Sequence, residues 1–236
     1  MAEVVSRAPR FPLQDARRVF VTGGTGYIGR RLIPELHARG HRVTALARAG
    51  RPAALPAGCN AVIGDALDAA SYQEFLAVAD TLVHLVGVAH PSPAKAAQFL
   101  SVDLASTRAA LAAALHAGIS HFVYLSVAQP APIMRAYVAA RAQGESLIRA
   151  SGIAATFLRP WYVIGPGHRW PLALLPAYWA AEHFPNMRAT MQRLGLVSLD
   201  QMVAAIVAAV ESPAMGVRVV EVPAIRAALL RPRANG

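Results

Sequence analysis

Residues 22–29 read Thr22-Gly23-Gly24-Thr25-Gly26-Tyr27-Ile28-Gly29. They follow the short apolar run Val19-Phe20-Val21 and precede a helical pattern, Arg30-Arg31-Leu32-Ile33-Pro34-Glu35-Leu36. The order is strand, glycine turn, helix. Glycines let a backbone turn tightly and approach a ligand closely. The N–H groups and positive dipole of the new helix then face that ligand, which favours a pyrophosphate. The same glycines would serve an ordinary tight turn, but the flanking strand and helix supply the context a dinucleotide site requires.

The chain has 236 residues and is 55% hydrophobic, enough for one large core with a small appendage. Its one cysteine, Cys59, excludes an internal disulfide and fits a reduced, cytoplasmic setting. The formal net charge is +10, and Lys95 is the only lysine. The arginines are scattered, with pairs at Arg17-Arg18 and Arg30-Arg31. Scatter without a recognisable binding motif reads as a solvated basic surface, and no nucleic-acid partner is expected. Residues 1–17, with Glu3, Asp15 and two prolines, read as a flexible arm without a secretory signal. The most membrane-like stretch, Trp170 to Ala181, is short and broken by Pro171 and Pro176. It suits an interfacial helix that could meet a membrane surface through Trp170, Tyr178 and Trp179 without spanning.

From Arg18 onward strands and helices alternate. Strand-like runs fall at Arg18–Val21, His41–Ala47, Ala61–Ile63, Thr81–Val86, His121–Leu125 and Ala155–Leu158. Helical stretches fall at Arg30–Arg39, Ser71–Val78, Ala94–Ala117 and Tyr137–Ala150. This alternation predicts an α/β fold, a Rossmann-type doubly wound parallel sheet with right-handed crossovers. Residues 18–165 are read as the dinucleotide-binding domain and 166–236 as a small C-terminal cap or substrate region. Within the latter, Ser198 is the expected N-cap of a helix through Val210, and Val217–Val222 a last strand.

In this order of motifs the chain resembles the short-chain dehydrogenase/reductase superfamily. The match is to its extended and atypical branches, which include NAD-dependent epimerases and dehydratases, NmrA-type proteins and the nucleotide-binding accessory subunit of respiratory complex I. The resemblance spans about Arg18 to Val222. It implies that Thr22, Gly23, Thr25, Gly26, Tyr27, Ile28 and Gly29 hold a pyrophosphate. It places Asp65 and Ala66 at the adenine end, and Leu85, Val86 and Gly87 beside the ribose. Arg159-Pro160 falls next to the nicotinamide end, with Pro160 on the cofactor. Ser126 corresponds to the serine that orients the substrate oxygen. Tyr137 corresponds to the tyrosine that gives or takes the substrate proton. The lysine of the YxxxK element is Arg141 here, and the asparagine often found after strand four is Asp103.

Tyr137 and Arg141 are one helical turn apart and share a face. A fixed positive charge there favours a phenolate. Tyrosine ionises near pH 10, so it would have to fall by roughly two or three pH units to serve near neutrality. Arg141 is bulkier and planar, and differs from an ammonium in hydrogen-bond geometry. An exposed arginine beside a packed tyrosine is the plainer reading of the pair. For Ser126 it is an ordinary strand-end serine, for Asp65 a turn residue or cap, and for Asp103 a helix-surface carboxylate.

Cofactor choice turns on the end of the second strand, Leu46-Ala47-Arg48-Ala49-Gly50-Arg51. It offers no carboxylate for a ribose 2′-hydroxyl. Arg48, helped by Arg30 or Arg51, could clamp a 2′-phosphate, so NADP(H) is expected over NAD(H). No protein-ligated metal is expected: Gly40 separates His37 from His41, and Gly118 separates His116 from His121. His84 and His168 read as structural or surface residues. Trp161, Tyr162, Trp170 and Leu172 suggest an apolar pocket and hence an apolar small-molecule substrate. The expected function is oxidation and reduction of a carbonyl or alcohol; the alternative is a non-catalytic dinucleotide sensor or accessory protein, which Arg141 in the lysine position would favour.

Overall fold

The computed structural model describes residues 16–50, 54–167, 190 and 192–229. Nine strands occur among them: β1 (Arg18–Thr22), β2 (Arg42–Ala47), β3 (Asn60–Ile63), β4 (Thr81–His84), β5 (His121–Leu125), β6 (Ala155–Arg159), β7 (Tyr162–Ile164), β8 (Leu196–Ser198) and β9 (Val217–Glu221). The principal helices are α1 (Gly29–Ala38), α2 (Ala105–His116), α3 (Arg135–Ala150), α4 (Leu199–Glu211) and α5 (Val222–Ala227). Seven strands form one sheet in the order β3-β2-β1-β4-β5-β6-β9, every neighbouring pair parallel. Strand order reverses about β1, between β2 and β4. That is the Rossmann switch point, and the crevice beyond it is where such sheets bind ligands.

Strand alternation divides the core between the two faces of the sheet. Val19 and Val21 join Leu32, Ile33 and Leu36 of α1 and Met202, Val203 and Ile206 of α4. Phe20, from the same strand, faces Tyr72, Leu76, Leu82, Phe122 and Tyr124 on the other side. Layers on both faces explain why the central strands are buried along most of their length and mostly apolar. Helix α4 begins with a reciprocal cap: Gln201 N donates to Ser198 Oγ at 3.1 Å, and Ser198 N donates to Gln201 Oε1 at 2.9 Å.

Two helical expectations need correction. Ser71–Val78 is not one α-helix but a pair of 3₁₀ turns, Ala69–Ser71 and Gln73–Leu76. The long helix expected over Ala94–Ala117 is interrupted. A 3₁₀ turn at Pro93–Lys95 and a short turn at Ala96–Gln98 lead into a π segment at Phe99–Leu104, and only then does α2 begin. Phe99, Asp103 and Leu104 are the buried residues of the π segment. The alternation of strands and helices also missed the small parallel pair β7–β8, which lies apart from the main sheet.

From residue 166 onward, the described residues supply β8, helices α4 and α5, and the edge strand β9. Residues 1–15 of the expected arm, Arg51, His168 and the Trp170–Ala181 stretch with Leu172 lie outside the described residues. No described helix is long and apolar enough to cross a membrane.

Candidate active site

The glycine turn closes on itself. Gly26 N donates to Gly23 O at 3.0 Å, and Arg30 N donates to Gly26 O at 3.0 Å. Gly23 has φ +77°, a conformation that favours glycine, and a Cβ there would meet the Leu85 carbonyl carbon at 2.9 Å. A Cβ on Gly29 would meet Gly23 O at 2.5 Å and Gly24 Cα at 2.6 Å. These are backbone atoms on both sides, so the first turn of α1 lies directly on the loop. No side chain caps that helix start, and its first turn carries no acidic residue.

Above the turn lies a cleft of about 250 Å³ lined by Gly23, Thr25, Gly26, Leu46, Arg48, Gly64, Ala66, Leu85, Val86 and Gly87. A second lobe of about 370 Å³ shares Gly23, Gly26, Leu85 and Gly87 and adds Tyr27, Ile28, Gly29 and the stretch Val88–Pro91. Chain segments distant in sequence thus meet around one trough. Arg48 stands exposed at its β2 end.

Thr22, Asp65 and Pro160 line neither lobe. Thr22 is buried, and its Oγ1 lies 2.8 Å from His84 Nδ1. Asp65 is exposed and folds back on its own turn, Oδ1 accepting from Leu67 N at 3.0 Å. Pro160 is buried, and its carbonyl accepts from Ala128 N at 2.9 Å. Tyr27 Oη fills the place a Cβ on Gly165 would take, so the loop touches the end of β7. Burial, with Asp200 nearby, holds the Tyr27 phenol above its ordinary range.

Arg141 is not an exposed helical arginine. Its side chain is 3% exposed. Nη1 donates to Leu125 O at 2.8 Å, Nη2 donates to Val86 O at 3.3 Å, and Nη2 lies 2.6 Å from Asp103 Oδ1. Asp103 Oδ2 accepts from Val88 N at 3.0 Å. Asp103 is fully buried, which corrects the expectation of a helix-surface carboxylate. It lies on the π segment four residues after buried Phe99 and faces Arg141 instead of water. Gly87 has room for no side chain, because the Arg141 guanidinium occupies the place of its Cβ. The guanidinium therefore meets the cleft wall at Gly87.

The Tyr137 ring packs on Phe99 with centroids 5.1 Å apart, and Arg141 Cζ lies 5.4 Å from the Tyr137 centroid. Burial holds the Tyr137 phenol above its ordinary range, Arg141 opposes that rise, and Asp103 and Tyr124 add to it. The expected depression is thus reversed, because burial of the phenol outweighs the pull of Arg141.

Ser126 is buried at the end of β5, and its hydroxyl donates to Glu145 Oε1 at 2.6 Å. Glu145 also takes Arg159 Nε at 2.8 Å, Arg159 Nη2 at 2.6 Å and Gln129 Nε2 at 2.9 Å. A carboxylate gripped at both oxygens by a guanidinium is acceptor-only. Ser126 must therefore give it its proton and keep only lone pairs for anything else. Phe99 and Glu145 were missed in sequence. Glu145 was in principle visible, since it continues the helical face of Tyr137 and Arg141 by one further turn. His84 is a structural residue: it is fully buried between Thr22 and Ser106, whose Oγ lies 3.3 Å from Nε2, and burial drives it down to about 3. Among the described residues, no group of three or more His, Cys, Asp or Glu could hold a metal.

A doubly wound sheet with a glycine trough at its switch point and a tyrosine–arginine pair beside it defines a Rossmann protein of the short-chain dehydrogenase/reductase type. A family model matches residues 19–222, and the chain belongs to the NAD dependent epimerase/dehydratase family. It is 28% identical over 205 residues to the ceramide reductase of Caulobacter vibrioides, covering 86% of this chain and 64% of that protein. It is 30% identical over 170 residues to the 4-hydroxy-2-methyl-3-oxo-4-farnesyl-3,4-dihydroquinoline-1-oxide ketoreductase of Stigmatella aurantiaca, covering 63% and 51%. The chain thus spans between half and two thirds of the length of these relatives. Among solved structures, the Bordetella bronchiseptica enzyme WbmH in complex with NAD+ superposes with a TM-score of 0.63 at 20% identity, over 84% of this chain and 73% of that one.

Proposed function

We propose that this chain is a nicotinamide-dependent oxidoreductase that interconverts a carbonyl and an alcohol on an apolar small molecule, with Tyr137 as its acid/base. The observation that carries the reading is the continuity between trough and helix α3. Gly87 lines the trough, Arg141 fills the place of its missing side chain, and Tyr137 stands over Arg141.

The residues present fit a dinucleotide, since Gly23, Gly29 and Gly87 let the segments around the trough pack too closely for any Cβ, bringing backbone to its wall. The glycine turn from Gly23 to Gly29 would hold the pyrophosphate, while Arg48, Asp65 and Ala66 would meet the adenosine end. Val86 and Gly87, which line the trough, would border the nicotinamide end. When bound, the dinucleotide supplies the hydride carrier. Arg48 at the β2 end favours a 2′-phosphate, so NADP(H) is preferred over NAD(H).

Tyr137 holds its proton at neutral pH and is suited to donate it to a carbonyl oxygen during reduction. Ser126, its own proton committed to Glu145, offers lone pairs that accept from a hydroxyl. The apolar substrate class is supported by Phe99 against Tyr137, by Trp161 against Tyr162 at 5.5 Å, and by relatives named for ceramide and a farnesylated quinoline. Such a protein would work in the cytoplasm. Relatives named as reductases do not favour the sensor reading.

The test is NADPH oxidation across a panel of long-chain, prenylated and steroidal ketones. Turnover is expected with at least one of them. Tyr137→Phe should lower kcat by on the order of 10²–10⁴ while leaving NADPH affinity unchanged. Tight NADPH binding with no turnover across the panel would overturn the enzymatic reading.

A further inference from the structure

Arg141 occupies the place in which the superfamily carries a lysine, yet its surroundings differ from those of a lone cation beside a tyrosine. Its guanidinium is held by two main-chain carbonyls, Val86 O and Leu125 O, and by the Asp103 carboxylate at 2.6 Å. Tyr137 is faced by Arg141 from its own helix, by Asp103 from the π segment and by Tyr124 from β5. Within this group the charges of Asp103 and Arg141 cancel at short range, and both are buried.

We infer that Asp103 is a positioning residue for the proposed acid/base site: by pairing with Arg141 it offsets that cation's pull on Tyr137 and biases the site toward proton donation. The inference rests on the reading of Tyr137 as the acid/base. Its physical basis is simple. A lone cation within about 4–6 Å of a phenol stabilises the phenolate, whereas a cation already neutralised by a carboxylate does so far less. Low local dielectric magnifies the difference. The π segment ties the two functions together, since Phe99 fixes the Tyr137 ring while Asp103 fixes the charge beneath it. Carbonyl reduction consumes one proton from Tyr137 for each hydride delivered, and a phenol that keeps its proton serves that direction. Alcohol oxidation needs the phenolate and is disfavoured until alkaline pH.

Asp103→Asn keeps the shape and an acceptor for Val88 N but removes the charge. Tyr137 ionisation can be read without cofactor or substrate, as the tyrosinate absorbance difference between each protein and its Tyr137→Phe counterpart. In Asp103→Asn the Tyr137 midpoint should fall by about one pH unit, the effect of unmasking one cation at contact distance. The alkaline limb of carbonyl reduction should move down by the same amount. Asp103→Asn combined with Arg141→Lys provides a second variant should the single one fail to fold, and it should lower the midpoint in the same sense. An unchanged Tyr137 midpoint in a folded variant, with only thermal stability reduced, would overturn the inference and leave Asp103 a structural residue. A shifted midpoint with an unshifted pH–rate profile would leave the Asp103–Arg141 relation intact and remove Tyr137 as the acid/base.

Discussion

Arg141 and Asp103 form a buried ion pair, 2.6 Å from Nη2 to Oδ1, with side-chain exposures of 3% and 0%. It joins α3 to the π segment, and through Val86 O, Leu125 O and Val88 N it fastens the chain leaving β4 and β5. Removing one partner strands the other charge in a dry site. Asp103→Ala should therefore cost about 3–5 kcal/mol. The double change Asp103→Leu with Arg141→Met should recover most of that loss, because desolvation is then relieved on both sides. Denaturant midpoints of the two single variants and the double variant, read as a cycle, measure the coupling.

Gly29 bears on both stability and ligand binding. Gly29→Ala sets a methyl 2.5 Å from Gly23 O, and neither backbone segment can yield without opening the turn. A loss of about 1–3 kcal/mol is expected, with dinucleotide affinity falling by at least tenfold. Gly216→Ala, whose added methyl meets nothing within 4 Å, should change neither quantity. Thermal melts with and without NADPH read both.

Arg48 separates the two dinucleotides. Arg48→Ala should weaken NADPH binding by about tenfold, the loss of one charge-assisted contact, and leave NADH binding unchanged. Equal effects on both, measured by calorimetric titration, would assign Arg48 to the shared adenosine and not to a phosphate.

Acid should loosen the sheet through its buried histidines. Burial lowers His84 from 6.5 to about 3 and His121 from 6.5 to about 4, with nearby arginines adding to both. A histidine whose folded value is depressed takes up its proton in the unfolded chain first. Its contribution to stability is therefore complete above about pH 6.5 and is lost as pH falls from there toward 3 to 4. Urea midpoints should decline across that window. A shallower decline for His121→Gln across the window would assign the difference to His121, whose Nε2 lies 3.0 Å from Thr156 Oγ1.

Local signals carried far in this chain. The glycines of residues 22–29 announce their turn because strand, loop and helix are contiguous, and Ser198 with Gln201 announces α4 for the same reason. The pairing of Arg141 with Asp103 could not be read this way. The two residues lie on different elements, and an Ala-rich run continuous from 94 to 117 gives no sign that its hydrogen-bond spacing changes within Phe99–Leu104. Ser126 and Tyr137 were recognisable by place in the motif order. Their protonation preferences were not, because those depend on Glu145 beside Ser126 and on the burial of Tyr137, both set by packing.

The π segment also makes the site sensitive to chain length. Phe99 and Asp103 are both buried within it, and each is seated against its own partner. Removing a single residue there would rotate one contact by about 100° relative to the other, so that Phe99 and Asp103 could no longer both be seated. Within this stretch the number of residues is as strictly constrained as their identity, and a deletion would be as damaging as the loss of either side chain.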